Sequence, residues 1–217
     1  MQKNGAISSL AEDNELEQRT DEWFEARLGM VTASRISEVV GKTSSGSYSS
    51  SRANYMTDLI LEKLTGKQVE KFSSQAMEWG TEKENDALNV YGFHSSNNVN
   101  LCGFIRHNEI EGAGASPDGL VGEEGLVEIK CPNSATHLKT LLNGKIAKKY
   151  LLQMQFQMAC TGRKWCDFVS YDPRFEGNMT IFIKKVDRDD KLIDGLNKEV
   201  LLFINEMDEK IKKLKEL

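Results

Sequence analysis

The order of hydrophobic periods along the chain predicts an α/β fold with a mixed central β-sheet flanked by helices. Apolar residues recur at helical spacing through the first third, alternate in the middle, return to helical spacing, and alternate again before a long C-terminal helical stretch. The chain has 217 residues, 39% hydrophobic and 28% charged, which is enough apolar side chain for one core and crowded for two full domains. No internal repeat is visible, and no apolar run approaches the ~18 to 20 residues that cross a bilayer, so no membrane partner is expected. One domain over 1–217 is expected, with 1–19 as an N-terminal extension and 188–217 as a C-terminal helical segment.

Helices are predicted at Asp21 to Leu28 and at Ser34 to Val40, the second closed by Gly41. Thr43 to Ser51 (TSSGSYSSS) reads as a loop, and Arg52 to Leu64 places Tyr55, Met56, Leu59, Ile60 and Leu64 on one helical stripe before Gly66. Ser74 opens a further helix to about Tyr91, on which Gly80, Glu84, Leu88 and Tyr91 share a face, so that an acid interrupts a small or apolar stripe. Val99, Leu101, Gly103 and Ile105 alternate, Gly112 to Ala115 leads into Pro117, and Gly125 to Cys131 alternates again. Helices resume at Ser134 to Leu142 and Ile146 to Ala159, stopped by Gly144 and Gly162, and two alternating runs follow at Trp165 to Tyr171 and Met179 to Val186. From Asp187 onward Ile193, Leu196, Val200, Phe203, Met207 and Leu214 lie near heptad spacing, which predicts a long helix packed on its own domain.

The formal net charge is −5, against a general basic coat for nucleic acid. Its distribution is uneven: Ser134 to Arg174 carries seven basic and two acidic residues, a local +5, as suits a polyanion groove lined on one side. The four cysteines (Cys102, Cys131, Cys160 and Cys166) form no CxxC pair, and the three histidines lie at no zinc-finger spacing, so reduced thiols in a cytoplasmic protein are expected. The N-terminus lacks a basic stretch followed by an apolar core, so no export signal is expected.

The chemistry concentrates in Ser116-Pro117-Asp118 and, ten residues on, Glu128-Ile129-Lys130. Strand alternation sends Glu128 and Lys130 to one face and Val127, Ile129 and Cys131 to the other. The glycine-rich segment from Gly119 to Gly125 can fold the chain back so that Asp118 comes beside Glu128. Two converging carboxylates repel, and the usual remedy is a divalent cation; oxygen donors with no thiolate or imidazole nearby select Mg²⁺ or Mn²⁺ over zinc. Lys130 would add charge and donors beside that metal, and Glu84 could complete the site by holding a water. An isolated E-x-K pair is commonly a salt-bridged exposed strand; Asp118 across a turn and an inward-facing acid on an earlier helix are what point to a metal centre.

With these residues in place the chain resembles the PD-(D/E)XK nucleases, and among them the lambda exonuclease and YqaJ-type viral recombinase exonucleases. The resemblance runs in the family's order through Trp23 to Ser34 (WFEARLGMVTAS), Trp79 to Ala87 (WGTEKENDA), Ser116 to Leu120 (SPDGL), Glu128 to Pro132 (EIKCP), Tyr150 to Gln155 (YLLQMQ) and Tyr171 to Arg174 (YDPR). It implies a restriction-endonuclease-like core, with Asp118, Glu128 and the Ile129 carbonyl as metal ligands, Lys130 as catalytic lysine, Glu84 as supporting acid and Gln153 reaching toward the centre. It also implies a 5′-phosphate pocket at Arg27, Ser34 and Ser116, where Thr136 occupies a position that an arginine holds in the family.

The activity so implied is Mg²⁺-dependent 5′→3′ exonuclease action on ends of double-stranded DNA, releasing mononucleotides and leaving a 3′ overhang. A single-strand annealing protein as partner, a homotrimeric ring around the duplex, and a phage or prophage protein in a bacterial cytoplasm come with it. Two alternatives share the same residues: a structure-specific or restriction-type endonuclease, and a non-catalytic DNA-binding protein with structural acids.

Overall fold

The structure, a computed structural model, describes residues 14–69 and 74–217; residues 1–13 of the expected N-terminal extension lie outside the described residues. Helix α1 (Asp21–Ala26) starts where the Thr20 hydroxyl accepts the Trp23 N–H, and leads into strand β1 (Val31–Thr32). A 3₁₀ turn (Ala33–Arg35) and a single-turn helix α2 (Ile36–Val39) stand where one helix over Ser34 to Val40 is predicted. Helix α3 (Ser50–Thr65) is capped by Ser49 and closed by left-handed Gly66, and α4 (Gln75–Ser95) runs one turn beyond its expected end.

The middle of the chain differs most from its alternating pattern. Val99 to Ile105 is not one strand but two short ones, β2 (Val99–Asn100) and β3 (Ile105–Arg106), which belong to different sheets. Between them Leu101 is exposed while Cys102, Gly103 and Phe104 are all buried, so burial does not follow the expected alternation of Val99, Leu101, Gly103 and Ile105, and the ladder is broken. Strand β4 (Ala113–Ala115) pairs parallel with β1 and antiparallel with β3 to make a three-stranded sheet. The Gly119 to Gly125 turn is also shorter than expected: Gly119–Val121 is itself a strand, β5, joined by a tight turn to β6 (Gly125–Lys130). At that turn Gly122 has φ +52°, and the Arg163 guanidinium donates to the carbonyls of Val121, Gly122 and Gly125 at 3.3, 2.8 and 2.7 Å.

Helices α5 (Ser134–Asn143) and α6 (Lys148–Thr161) separate β6 from β7 (Trp165–Tyr171), and β8 (Ile181–Asp187) and α7 (Asp190–Lys215) complete the described chain. The five-stranded sheet has the order β2-β5-β6-β7-β8, parallel only between β6 and β7, hence mixed as predicted. A parallel pair needs a crossover and covers both of its faces, which is why β6 is buried along almost its whole length. On one face Val127 and Ile129 pack with Ala87 and Tyr91 of α4; on the other Leu126 and Phe168 pack with Met154, Phe156 and Met158 of α6. Helix α7 lays Ile193, Leu196, Val200, Phe203 and Met207 into that second core, as its spacing predicts, whereas Leu214 is exposed. All four cysteines are free and buried. No described helix is long and apolar enough to cross a membrane.

Candidate active site

The β5–β6 hairpin brings the acids together. Gly119 pairs with Val127, so the preceding residue, Asp118, falls opposite Glu128. Asp118 Oδ2 accepts the Ile129 N–H at 2.6 Å, which ties the Asp118 carboxylate to the β6 main chain between Glu128 and Lys130. Glu128 is only 1% exposed, and both of its oxygens are satisfied: Gln153 Nε2 donates to Oε1 and Gln157 Nε2 to Oε2, each at 2.6 Å. The Lys130 ammonium forms an ion pair with Glu128 Oε1 and lies 5.3 Å from the centre of the Tyr150 ring.

Electrostatics follow from this crowding. Burial, then the neighbouring Glu128 charge and more weakly Glu84, push the Asp118 carboxyl well above the usual carboxylate range, against the pull of Lys130 and the Ile129 N–H. Burial also opposes charge on Lys130, but Glu128 and Asp118 more than offset it and hold its pKa above that of an ordinary lysine. Glu84 sits on α4 at the wall between two cavities. One, of about 380 Å³, is lined by Gly80, Glu84, Ile129, Lys130 and Tyr150; the other, of about 560 Å³, by Gln18, Arg19, Glu84, Cys102 and Asp118. Arg19 Nη2 donates to Glu84 Oε2 at 2.5 Å.

Whether this centre suits a divalent cation is a question of donors. Among the described residues no group of three or more His, Cys, Asp and Glu side chains lies close enough to hold a metal. What the hairpin offers is two carboxylates beside the Ile129 main chain, where burial first and the Glu128 charge second disfavour ionised Asp118. An all-oxygen set with one or two carboxylates, completed by water, is what Mg²⁺ takes, so the residues fit.

The phosphate pocket expected from the resemblance is assembled from farther apart. Arg27 and Ser34 line one cavity of about 200 Å³ with Thr32, Arg35, Tyr55 and Glu62. The Arg27 guanidinium stacks 3.7 Å from the Trp23 ring centre, and Trp23 Nε1 donates to Ser116 Oγ at 3.0 Å, so the indole connects Arg27 to Ser116, which is not among the residues lining that cavity. Burial lowers the Arg27 pKa to about 10, with Tyr55 and Glu62 opposing. Thr136 stands apart, exposed on the first turn of α5, its N–H donating to Asn133 Oδ1 at 2.9 Å. The adjacent His137 is fully buried between Ser170 Oγ and the Met179 carbonyl, 2.8 Å from each, and serves the packing of α5.

Three residues at the site escape a reading of the sequence. Gln157 lies one turn beyond Gln153 on α6, and that i, i+4 pair of amides in a helix buried from Leu152 to Cys160 is the signal that could have found it. Gln18 and Arg19 carry no comparable signal, because tertiary packing alone brings them to Asp118 and Glu84. Gln18 Nε2 donates to the Pro117 carbonyl at 2.8 Å and to that of Cys102 at 2.9 Å.

A mixed sheet between two helical layers, with acid, acid and lysine gathered on one hairpin, is a restriction-endonuclease-like α/β core. Residues 22–164 match the YqaJ-like viral recombinase domain, and the chain belongs to that family. It is 49% identical to an alkaline exonuclease (LHK-Exo) from Laribacter hongkongensis, whose crystal structure superposes with a TM-score of 0.84 over 91% of this chain and 97% of that one. Among curated relatives, it is 26% identical over 199 residues to YqaJ of Bacillus subtilis (strain 168) and 24% identical over 182 residues to protein R354 of Acanthamoeba polyphaga mimivirus. Those matches cover 91% and 78% of this chain but only 58% and 32% of the relatives' own lengths.

Proposed function

We propose that the protein is a metal-dependent DNA exonuclease whose centre is Asp118, Glu128 and Lys130, acting 5′→3′ on duplex ends and releasing mononucleotides. The observation that carries this reading is the hairpin register, which sets two carboxylates opposite each other with a charged lysine on the same strand. The 49% identical relative is an alkaline exonuclease that has also been crystallised with dAMP, a mononucleotide.

Asp118, Glu128 and the Ile129 carbonyl would hold Mg²⁺, with Mn²⁺ able to substitute; the ion supplies charge to stabilise the phosphodiester under attack. Gln153 and Gln157 fix the Glu128 carboxylate plane. Lys130, kept protonated by its acid neighbours, stabilises negative charge building on the scissile phosphate. Glu84 orients a water at the edge of the centre. Arg27, with Ser34 and Ser116 beside it, receives the 5′-terminal phosphate as a fork and two hydroxyl donors. Thr136 supplies no charge, so Arg27 carries that recognition. Digestion leaves a 3′ overhang for a single-strand annealing protein, and a homotrimeric ring keeps a net-acidic chain on its duplex. The setting is the cytoplasm of a bacterium that hosts the phage or prophage.

The test is digestion of linear duplex labelled at either the 5′ or the 3′ end. With Mg²⁺ the 5′ label should appear at once as mononucleotide and the 3′ label should persist on a shortening strand, and EDTA should stop both. Early release of the 3′ label reverses the polarity, and cleavage of closed circular DNA replaces the exonuclease with an endonuclease.

A further inference from the structure

We propose that Arg19 is a positioning residue of the catalytic centre, holding the Glu84 carboxylate at the wall between its two cavities. This rests on the assignment of Asp118, Glu128 and Glu84 to a DNA-cleaving centre made above. The direct contact is the ion pair from Arg19 Nη2 to Glu84 Oε2 at 2.5 Å, with the Glu84 side chain 25% exposed.

The backbone supplies a second observation. Arg19 has φ +76°, in the left-handed region that glycine enters freely and a residue with a Cβ avoids. Such a conformation persists where the surroundings over-determine it. Here Asn14 O accepts the Gly103 N–H at 2.7 Å, and Gln18 bridges the Cys102 and Pro117 carbonyls. On the other side Thr20 caps the helix that carries Trp23. The segment is thus anchored on both sides of Arg19, and the strained residue between the anchors delivers its guanidinium to an acid of the site.

Charge gives the purpose. Glu128 has Lys130 as its counter-ion and Asp118 has the Ile129 N–H. For Glu84, Arg19 is the cationic partner among the described residues. Without it the Glu84 side chain would be free to swing at the cavity wall and would repel an incoming phosphodiester. Two consequences of opposite sign follow. Losing Arg19 leaves the centre more negative and so does not weaken its hold on a divalent cation, while the unheld Glu84 slows turnover. A simple structural brace would not separate these two readouts.

The experiment uses the full chain as Arg19→Gly, Arg19→Lys, Glu84→Gln and the Arg19→Gly/Glu84→Gln double variant. Turnover on saturating duplex, Mg²⁺ binding by calorimetry without DNA, and thermal midpoint are measured for each. Arg19→Gly should lower turnover by about ten- to a hundredfold, bind Mg²⁺ at least as tightly as the parent, and melt no lower, because glycine accepts the φ. Arg19→Lys should keep more of the parent turnover than Arg19→Gly, and in the Glu84→Gln background Arg19→Gly should cost nothing further. Parent turnover in Arg19→Gly, an undiminished effect without Glu84, weaker Mg²⁺ binding, or a loss that tracks a lowered melting point would each overturn the proposal. Asp118→Ala assayed beside them separates the two readings: if it remains active, the site assignment itself has failed; if it is inactive while Arg19→Gly turns over normally, only the role of Arg19 is rejected.

Discussion

The acidic hairpin of Asp118 and Glu128 and the cavity beside Arg27 both carry buried or half-buried charge, yet they are held together by different means. Asp118 and Glu128 sit opposite each other because two adjacent strands share a register, and their contacts, the Ile129 N–H, Lys130, Gln153 and Gln157, come from the hairpin and one crossover helix. Arg27, Ser34 and Ser116 come from the turn that closes α1, a 3₁₀ turn and a loop; Arg27 and Ser116 are linked through the Trp23 indole, and Ser34 meets Arg27 only as a wall of one cavity. A ladder fixes its members cooperatively, whereas a chain of single side-chain contacts lets each one be removed separately. Damage to the hairpin should therefore be all-or-none, and damage to the cavity graded.

The largest expected effect is Glu128→Ala. It removes a proposed metal ligand and strands two amide donors and an ammonium around the empty space, so nuclease activity should vanish and stability fall by about 2 to 3 kcal/mol. Digestion assays and denaturant melts check both; a folded variant that digests at the parent rate would break the account of the hairpin.

Arg27→Ala should come next. Losing one charge-assisted contact of ~1.5 to 3 kcal/mol should slow digestion of 5′-phosphorylated ends by roughly ten- to a hundredfold at ~1.4 kcal/mol per decade, with hydroxyl ends nearly unchanged. The same group has a pH signature. Arg27 is charged below about 10 and loses its proton above it, so the preference for phosphorylated ends in kcat/KM should hold at lower pH and fall as pH rises through about 10. A preference that stays flat through that range would show that another cation reads the phosphate.

The smallest effect, Gln157→Leu, sharpens the contrast from inside the hairpin's support. Gln157 is fully buried; leucine removes its unpartnered Oε1 but leaves the buried Glu128 Oε2 without its donor, so stability should fall by about 1 to 3 kcal/mol. Mg²⁺ affinity measured by calorimetry should nonetheless drop about tenfold, since Glu128 loses the donor that fixes Oε2. An unchanged affinity would make Gln157 a packing residue.

The same contrast explains what the sequence made legible. Alternation placed Glu128 and Lys130 on one face, and the glycines after Asp118 implied the reversal, because a hairpin is specified by neighbours in sequence. The sheet change between Leu101 and Phe104 was hidden: the run alternates in sequence, yet Leu101 is exposed and Cys102 to Phe104 are all buried, because the chain passes there from one sheet to the other. Glu84 announced itself as an acid on an apolar stripe, but its partner Arg19 is 65 residues away and its approach is set by packing alone. Thr136 shows the limit of position by resemblance: it stands on the turn of α5 that follows the catalytic strand, exposed and bonded to Asn133, with the buried His137 next to it.

The most direct test of the hairpin as a metal-dependent nuclease centre is Asp118→Asn in a single-turnover digestion of 5′-phosphorylated linear duplex with saturating Mg²⁺. An asparagine oxygen can still accept the Ile129 N–H, so the variant should fold and melt like the parent, yet cleave no DNA, since it lacks the charge proposed to hold the cation. Cleavage at the parent rate by that folded variant would contradict the account at its centre.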